Sequence, residues 1–486
     1  MILEGEFRWK EAHFMAYAAC NWTVHYNSQD SAARAELCQA ARDICRTACG
    51  RGPAWAIHFE SRDFRTDHEY ASHCSDLTLA SYFGLLDVAE HIIREENVDV
   101  NSEGGYFGTA IKAAAAGGQL SLVQALTQHD ADFETGGGCF PTALVAAFAQ
   151  GHLNVAQYLI GRGHRITQEV VEAAVSEEND VQQIAHLIEN FKEHVTITEE
   201  VTEAAAANPI WGADILAFLL DRCGDQVGIT QEILKTATAN EGCGDEIMSL
   251  LIDTRGDALD ITEETLKSAA GNSDCGAEIM RLLIEEYGDV LDITSAVFQT
   301  AAGTIDGFAT MKLLMQEGCT NFEITQEVIL AAAKRGSEDM MKFCLDESRD
   351  MFQLTPELIL AVAGNSFYGG KMMTLLLQTF GNRVIITQDV IMTAAQASYG
   401  DETLAVLLNH RGSDLKITNE IVIAAAMNTD GEGPMAYLLE QHRMEVEITQ
   451  ELISAVQGNR MLGKRMMALL RDKRGDEVKL YEREQV

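Results

Sequence analysis

Apolar positions in the second half of the chain follow a cycle of about 31 residues. Each cycle opens on Ile-Thr or Leu-Thr, at Ile166-Thr167, Ile197-Thr198, Ile229-Thr230, Ile261-Thr262, Ile293-Thr294, Ile324-Thr325, Leu354-Thr355, Ile386-Thr387, Ile417-Thr418 and Ile448-Thr449. The spacings run 31, 32, 32, 32, 31, 30, 32, 31 and 31 residues. Apolar residues three and four places after the Thr, with Ala at the seventh place in eight of the ten cycles, predict one buried helical stripe. A loop containing Asn and Gly follows, as at Asn208/Gly212 and Asn272/Gly276. A second apolar stripe then appears, as in Ile247-Met248 with Leu250-Leu251 and Met372-Met373 with Leu375-Leu376. The unit is therefore a helical hairpin stacked on copies of itself.

The opening phrase reads as a helix start. Thr is suited to capping an unpaired N–H of the first turn. The residue two places later is acidic in nine of ten cycles, Ala296 being the exception, and a carboxylate there suits the helix dipole. Pro356 fits the first helical position. Gly224, Gly256, Gly288, Gly381, Gly412 and Gly475 fall where a left-handed C-terminal cap is expected. The methionines read as adaptable core filler.

Residues 75–165 carry a related, shorter pattern. Thr109-Ala110-Ile111 and Thr142-Ala143-Leu144, each followed by Gly118-Gln119-Leu120 or Gly151-His152-Leu153, resemble ankyrin repeats; a weaker first copy starts at Asp76-Leu77-Thr78. The family's capping His is replaced by Lys112 and Val145, which puts its hydrogen-bond network in question. The ten later units look like an ankyrin variant, so one continuous solenoid is expected. Before it, residues 1–74 do not repeat. Amphipathic stretches at Phe14–His25 and Ala32–Cys49, with Trp9, Trp22, Trp55 and Phe59, predict a small helical cap over the first repeat. The string Phe14-x-x-Tyr17-Ala18-Ala19-x-x-Trp22-x-x-His25 resembles the segment preceding the ankyrin repeats of fungal NACHT–ankyrin receptors of the NOD-like type. That resemblance implies a ligand-sensing arm, although the chain has no Gly-x-x-x-x-Gly-Lys-Ser/Thr run with which to bind nucleotide. The expected fold is all-α: an elongated helical-repeat solenoid with a cap at 1–74, three ankyrin repeats at 75–165, ten ankyrin-like repeats at 166–479 and a degenerate tail at 480–486.

The formal charge of −38 argues against nucleic acid and anionic membranes as partners. It favours a basic protein partner, or simply keeps a repeat surface soluble. No apolar run is long enough for a membrane span, and the first residues show no signal-peptide pattern, so a cytoplasmic setting is expected. Eleven cysteines without framework spacing read as reduced thiols. Cys243 and Cys275, at equivalent places in adjacent units, are expected to be unpaired, because stacked helices lie roughly 10 Å apart.

No catalytic, cofactor or metal constellation emerges. His58, His68, His73, Cys74, Cys45 and Cys49 match no zinc spacing. Gly136-Gly137-Gly138 lacks the preceding strand of a phosphate loop and reads as a flexible finger tip. Arg255-Gly256-Asp257 and Arg474-Gly475-Asp476 fall on helix-ending glycines, and the sequon Asn21-Trp22-Thr23 lies in a predicted helix. The loops between paired helices are more informative. Trp211, Phe308, Phe367, Tyr368, Tyr399 and Leu462 put large apolar groups near loop tips, where rigid arrays carry recognition residues, unless they fold back on neighbouring repeats. The expectation is a non-enzymatic protein-interaction scaffold. Its alternatives are the sensing arm of a NACHT–ankyrin receptor, or an enzyme of unfamiliar geometry using Cys or His residues of the cap. The sequence leaves the oligomeric state open.

Overall fold

The computed structural model describes residues 21–45, 74–95, 98–134, 137–176, 179–318, 323–348, 352–410, 416–428, 432–442 and 446–482. The regular structure of the described residues is helical, with no strand among them. They divide into two compact units, Met1–Thr230 and Gln231–Val486. Trp9, Phe14, Trp55, Phe59, His58, His68, His73 and Cys49 lie outside the described residues.

In the first unit a helix at Ser31–Ile44 starts from Asp30, whose carboxylate accepts the Ala33 N–H at 2.8 Å. It lies on the Leu86–Glu95 helix of the first ankyrin hairpin. Ion pairs Arg34–Asp87 at 2.9 Å and Arg42–Asp76 at 2.7 Å hold it there. Three ankyrin hairpins follow, Asp76–Tyr82 with Leu86–Glu95, Ala110–Ala116 with Leu120–Gln128, and Ala143–Ala149 with Leu153–Gly161. Their first helices are rich in Ala, so they stack closely: every residue of Ala110–Ala116 is buried. Lys112 is among them, at the family's His position. Its ammonium donates to the carbonyls of Gly137 and, at 3.2 Å, Phe140 in the next finger. The network is thus kept by a longer donor, and burial pushes the Lys112 amine below its ordinary value. Gly138 packs closely on the neighbouring finger, where a Cβ would meet Gly108 N at 2.4 Å; Gly136 lies outside the described residues. Two Ile-Thr hairpins complete this unit, Gln168–Ala173 with Val181–Phe191 and Glu199–Ala207 with Gly212–Cys223.

The second unit holds eight further hairpins, from Gln231–Ala239 with Gly244–Arg255 to Gln450–Gly458 with Gly463–Glu482. The predicted stripes form its core. Leu266, Ala269, Ile279, Met280, Leu283, Val297 and Phe298 are all sealed from solvent, each large side chain contributing about 1.5–3 kcal/mol on burial. Met248, Met340, Met373 and Met466 fill it as expected. The last helix continues past Gly475 to Glu482 across a kink at Arg474. There the Arg474 guanidinium donates to Glu477 and to the Val446 carbonyl, and Val478 is buried.

The Ile-Thr phrase does more than start helices. Thr294, Thr325, Thr355, Thr387 and Thr449 accept a first-turn N–H, whereas Thr167, Thr198, Thr262 and Thr418 make no such cap bond. Several of these hydroxyls face the residue following Thr in the preceding repeat. Thr262 donates to Gln231 at 2.9 Å and Thr294 to Glu263 at 2.6 Å, while Gln388 donates to Thr418 at 2.7 Å. The phrase is both cap and rivet. The acid two places on behaves as a dipole partner should. Its own backbone N–H and the Thr hydroxyl hold Glu200 and Glu327 below the usual carboxylate range.

The expected left-handed C-caps need correction. Gly256, Gly288 and Gly381 have φ of 43°, 44° and 54° but ψ near −120°, a region open essentially to glycine alone. Each then begins a single 3-10 turn. Gly224 has φ −1°, Gly475 lacks a positive φ, and Gly412 lies outside the described residues.

Candidate recognition surface: the loops between paired helices

The loops are organised by a ladder of polar side chains that the composition disguises as loop breakers. Ten residues after the opening Thr stand Gln119, His152, Asn208, Asn272, Thr304, Asn365, Asn428 and Asn459. Each reaches back to a backbone carbonyl of the preceding repeat. In the first unit Gln119 donates to Tyr82 O at 3.3 Å, His152 Nε2 lies 3.0 Å from Ala116 O, and Asn208 donates to Ser176 O and Asn179 O at 2.9 Å. In the second, Asn272 donates to Thr238 O and Asn240 O at 3.0 and 2.9 Å, and Asn365 to Ala333 O and Gly336 O at 3.2 Å. These carbonyls lie at or near the C-terminal end of a helix, where acceptors lack intrahelical partners. The ladder satisfies them in ankyrin and Ile-Thr repeats alike.

The other end of each Asn shapes the loop tip. Oδ1 of Asn365 accepts from Phe367 N at 3.1 Å and Tyr368 N at 2.9 Å. Asn208 does the same for Ile210 and Trp211, and Asn459 for Met461 and Leu462. The residue two places after the Asn therefore points outward and the third is turned partly in. Ile210, Phe367 and Met461 are 65%, 61% and 76% exposed, while Trp211 is 41% exposed and Tyr368 and Leu462 are half-buried. Of the residues singled out from sequence, Trp211, Phe367 and Tyr399 are exposed. Phe308 instead folds back, its ring centroid 5.7 Å from that of Phe343. Ile210, in the first unit, and Met461, in the second, share the outward position of Phe367 within their own loops.

Around Phe367 the structure brings several of these features together. Tyr399, with φ of +54°, is exposed, and its ring centroid lies 6.2 Å from that of Phe367. The Lys371 ammonium sits 5.9 Å from the Tyr368 ring centroid, within cation–π range. Beside Phe367 runs a groove of about 500 Å³. It exists because the ladder lapses in the neighbouring repeat, where Arg335 and Gly336 replace the Asn. There only two residues, Gly336 and Ser337, separate the helices Gln326–Arg335 and Glu338–Ser348, against four between Glu263–Gly271 and Gly276–Tyr287. The short loop leaves a gap between the flanking tips. Ile305 and Phe367 stand at its walls, and Lys334 and Arg335 line it with the small residues Gly303 and Gly364.

Among the described residues no group of three His, Cys, Asp or Glu side chains could hold a metal ion. No helix there is long and apolar enough to cross a membrane. Cys243, Cys275 and the other described cysteines form no disulfide. Burial raises the thiols of Cys45 and Cys344 to about 12, unsuited to nucleophilic use.

The architecture defines a helical-repeat protein of the ankyrin kind. The family described as ankyrin repeats (3 copies) matches residues 77–170. A domain of unknown function, DUF7104, matches eight times, at 187–215, 218–248, 250–280, 313–341, 345–373, 375–403, 406–435 and 438–467. The chain therefore carries ankyrin repeats followed by a run of DUF7104 repeats. These matches are framed across the Ile-Thr phrase, from the second helix of one hairpin through the first helix of the next. They skip 281–312, which contains Ala296, where the acid is missing, and Thr304, one of the places where the Asn is replaced. No curated protein matches the chain.

Proposed function

We propose that this chain is a non-catalytic protein-recognition module that reads its partner with the loop tips between paired helices. The observation carrying this reading is the set of outward apolar residues, Ile210, Phe367, Tyr399 and Met461, presented from loops locked to the core. Three of the four follow a ladder Asn. Large apolar side chains held exposed on rigid loops are suited to anchoring an interface. The excess of acids favours a basic partner at long range, yet at physiological salt such a field fades over about 8 Å. Contact chemistry is therefore set tip by tip.

A finer reading makes the chain the sensing arm of a NACHT–ankyrin receptor acting inside the cell. It rests on the string ending in Trp22 and His25, whose described part, residues 21–25, is helical; just beyond the string, Asn27 donates to Phe83 O at 2.9 Å. Genomic sequence upstream of Met1 that encodes a phosphate-binding loop in frame would support it, and its absence would remove it.

The general reading is tested by quantitative affinity capture with the full chain and a Trp211→Ala/Phe367→Ala variant of unchanged thermal stability. Specific partners should fall at least tenfold in the variant. Equal recovery by both chains would rule the tips out as the recognition surface.

A further inference from the structure

Lys334 and Arg335 are a local reversal in an acidic chain. With 36 Lys and Arg against 74 Asp and Glu, two adjacent cations lining a groove without a lining carboxylate are against the trend. The acids on the flanking tips, Asp274 and Asp306, are not part of the lining. Neither cationic side chain has a hydrogen-bond or ion-pair partner among the described residues. Neither is required to end its helix, because Gly336 N–H already donates to Ala332 O at 2.8 Å. The walls supply the complementary half of a site, since Ile305 and Phe367 expose apolar surface on either side. The framing hydrogen bonds from Asn365 to Ala333 O and Gly336 O fix the Phe367 wall relative to the cations.

We propose that this groove binds an acidic peptide segment of a partner protein. Carboxylates of the segment sit on Lys334 and Arg335, and an adjoining apolar or aromatic side chain sits between Ile305 and Phe367. The proposal deepens the loop-tip reading by giving one tip cluster a ligand chemistry, and it rests on that reading. Charge complementarity selects the occupant: a basic segment would meet two unpaired cations at contact. A nucleic acid would offer anions too, but it would have to bring a long phosphate backbone along the −38 surface, whereas a short carboxylate segment touches only the reversed patch. Arg335 can take a carboxylate through two parallel N–H bonds, and Lys334 adds a point charge beside it.

The test is a display library of random 12-residue peptides selected on the full chain, followed by fluorescence anisotropy on the winners. The expected winners carry Asp or Glu next to Phe, Leu or Ile. Their affinity should fall at least tenfold in Lys334→Gln/Arg335→Gln, a neutral pair that avoids placing acids at a helix C-terminus. It should fall similarly in Phe367→Ala, stay within twofold in Val290→Ala, an exposed side chain away from the tips, and fall by an intermediate amount in Arg335→Lys, which keeps the charge but loses the two-bond fork. Circular dichroism and thermal melting establish that the variants fold. Winners without acids, no winners at all, or acidic winners indifferent to the Gln pair would each overturn the proposal. So would a chain that sediments as a dimer and becomes monomeric with the Gln pair, because the occupant would then be a second copy. If captured partners depend on Trp211 and Phe367 but not on the cations, the loop-tip reading stands and this one falls.

Discussion

Asn272→Ala tests the ladder most directly. The Asn272 side chain is 3% exposed and makes four hydrogen bonds. It donates to Thr238 O and Asn240 O, and accepts from Asp274 N at 3.1 Å and Cys275 N at 2.9 Å. At about 1 kcal/mol net for each bond, the sum is roughly 4 kcal/mol. Water can replace the amide at the half-buried tip more readily than at the buried carbonyls, so the expected cost is about 2–4 kcal/mol. Asn272→Thr should cost about half as much, because Thr304 fills the equivalent place and donates to Ala270 O, at a long 3.4 Å, and to Thr300 O at 2.9 Å. Asn272→Asp keeps the two accepted bonds but turns a carboxylate oxygen on two carbonyls. Its folded-state pKa should therefore rise above the unfolded value of about 3.9. The sign follows: between those values the folded chain binds more protons than the unfolded chain, so the added penalty is absent at low pH and grows as pH rises through that window. Repeat arrays can open in parts, so urea titrations should be paired with hydrogen exchange resolved to the 263–287 hairpin. Protection should fall first at the Asp274 and Cys275 amides. A loss below about 0.5 kcal/mol with unchanged exchange there would show that the ladder is incidental to stacking.

Two further predictions probe the backbone and the thiols. Gly288→Ala should destabilise by about 1–3 kcal/mol, since its φ of 44° with ψ of −119° is strained for any side chain, even though a Cβ there would meet nothing within 4 Å. Gly475→Ala, free of that constraint, should stay within about 0.5 kcal/mol; equal melting shifts for the two would discount the backbone argument. In the native chain at pH 8, Cys45 and Cys344 should resist iodoacetamide, their thiolate fractions being on the order of one in ten thousand at values raised to about 12. Cys139, whose side chain reaches solvent, should react first although its thiol is also raised. Mass mapping of early alkylation at Cys344 would contradict the buried packing of the Glu338–Ser348 helix.

The hairpin register was legible because two signals with different causes agree at each start: an apolar period set by core packing, and a Thr-x-acid phrase set by unpaired N–H groups. The ladder recurs at a fixed offset but with lapses, as at Arg335 and Ala397, and is harder to read. Asn before Gly is what a loop breaker looks like, and composition does not distinguish an Asn that ends a helix from one that bridges two repeats. The available signal was the constant spacing of ten residues from Thr to Asn, carried into the ankyrin repeats by Gln119 and His152. Ignoring it also blurred the candidate surface. Without knowing that Asn365 accepts from both following amides, Phe367 and Tyr368 look interchangeable, whereas the shared acceptor turns the first outward and the second inward.

The groove shows how function can reside in a lapse of the repeat. The interval from Thr325 to Thr355 is the shortest of the series, 30 residues. A helix-to-helix loop of two residues cannot build the tip that its neighbours build, and the missing Asn takes with it the group that would have reached toward the preceding repeat. Both losses expose the end of the Gln326–Arg335 helix, where Lys334 and Arg335 suit the negative end of the dipole. Their charge suits that helix end without being required there, and their lack of partners among the described residues does not follow from it, because the same end could be served by one cation paired to a tip acid such as those at Asp274 and Asp306. A repeat array gains a specific site by departing from its own consensus at one position while its neighbours keep to it. On either side Asn365, and Thr304 in place of an Asn, still reach back to the preceding repeat, and that holds the walls in place while the floor between them is free to carry charge.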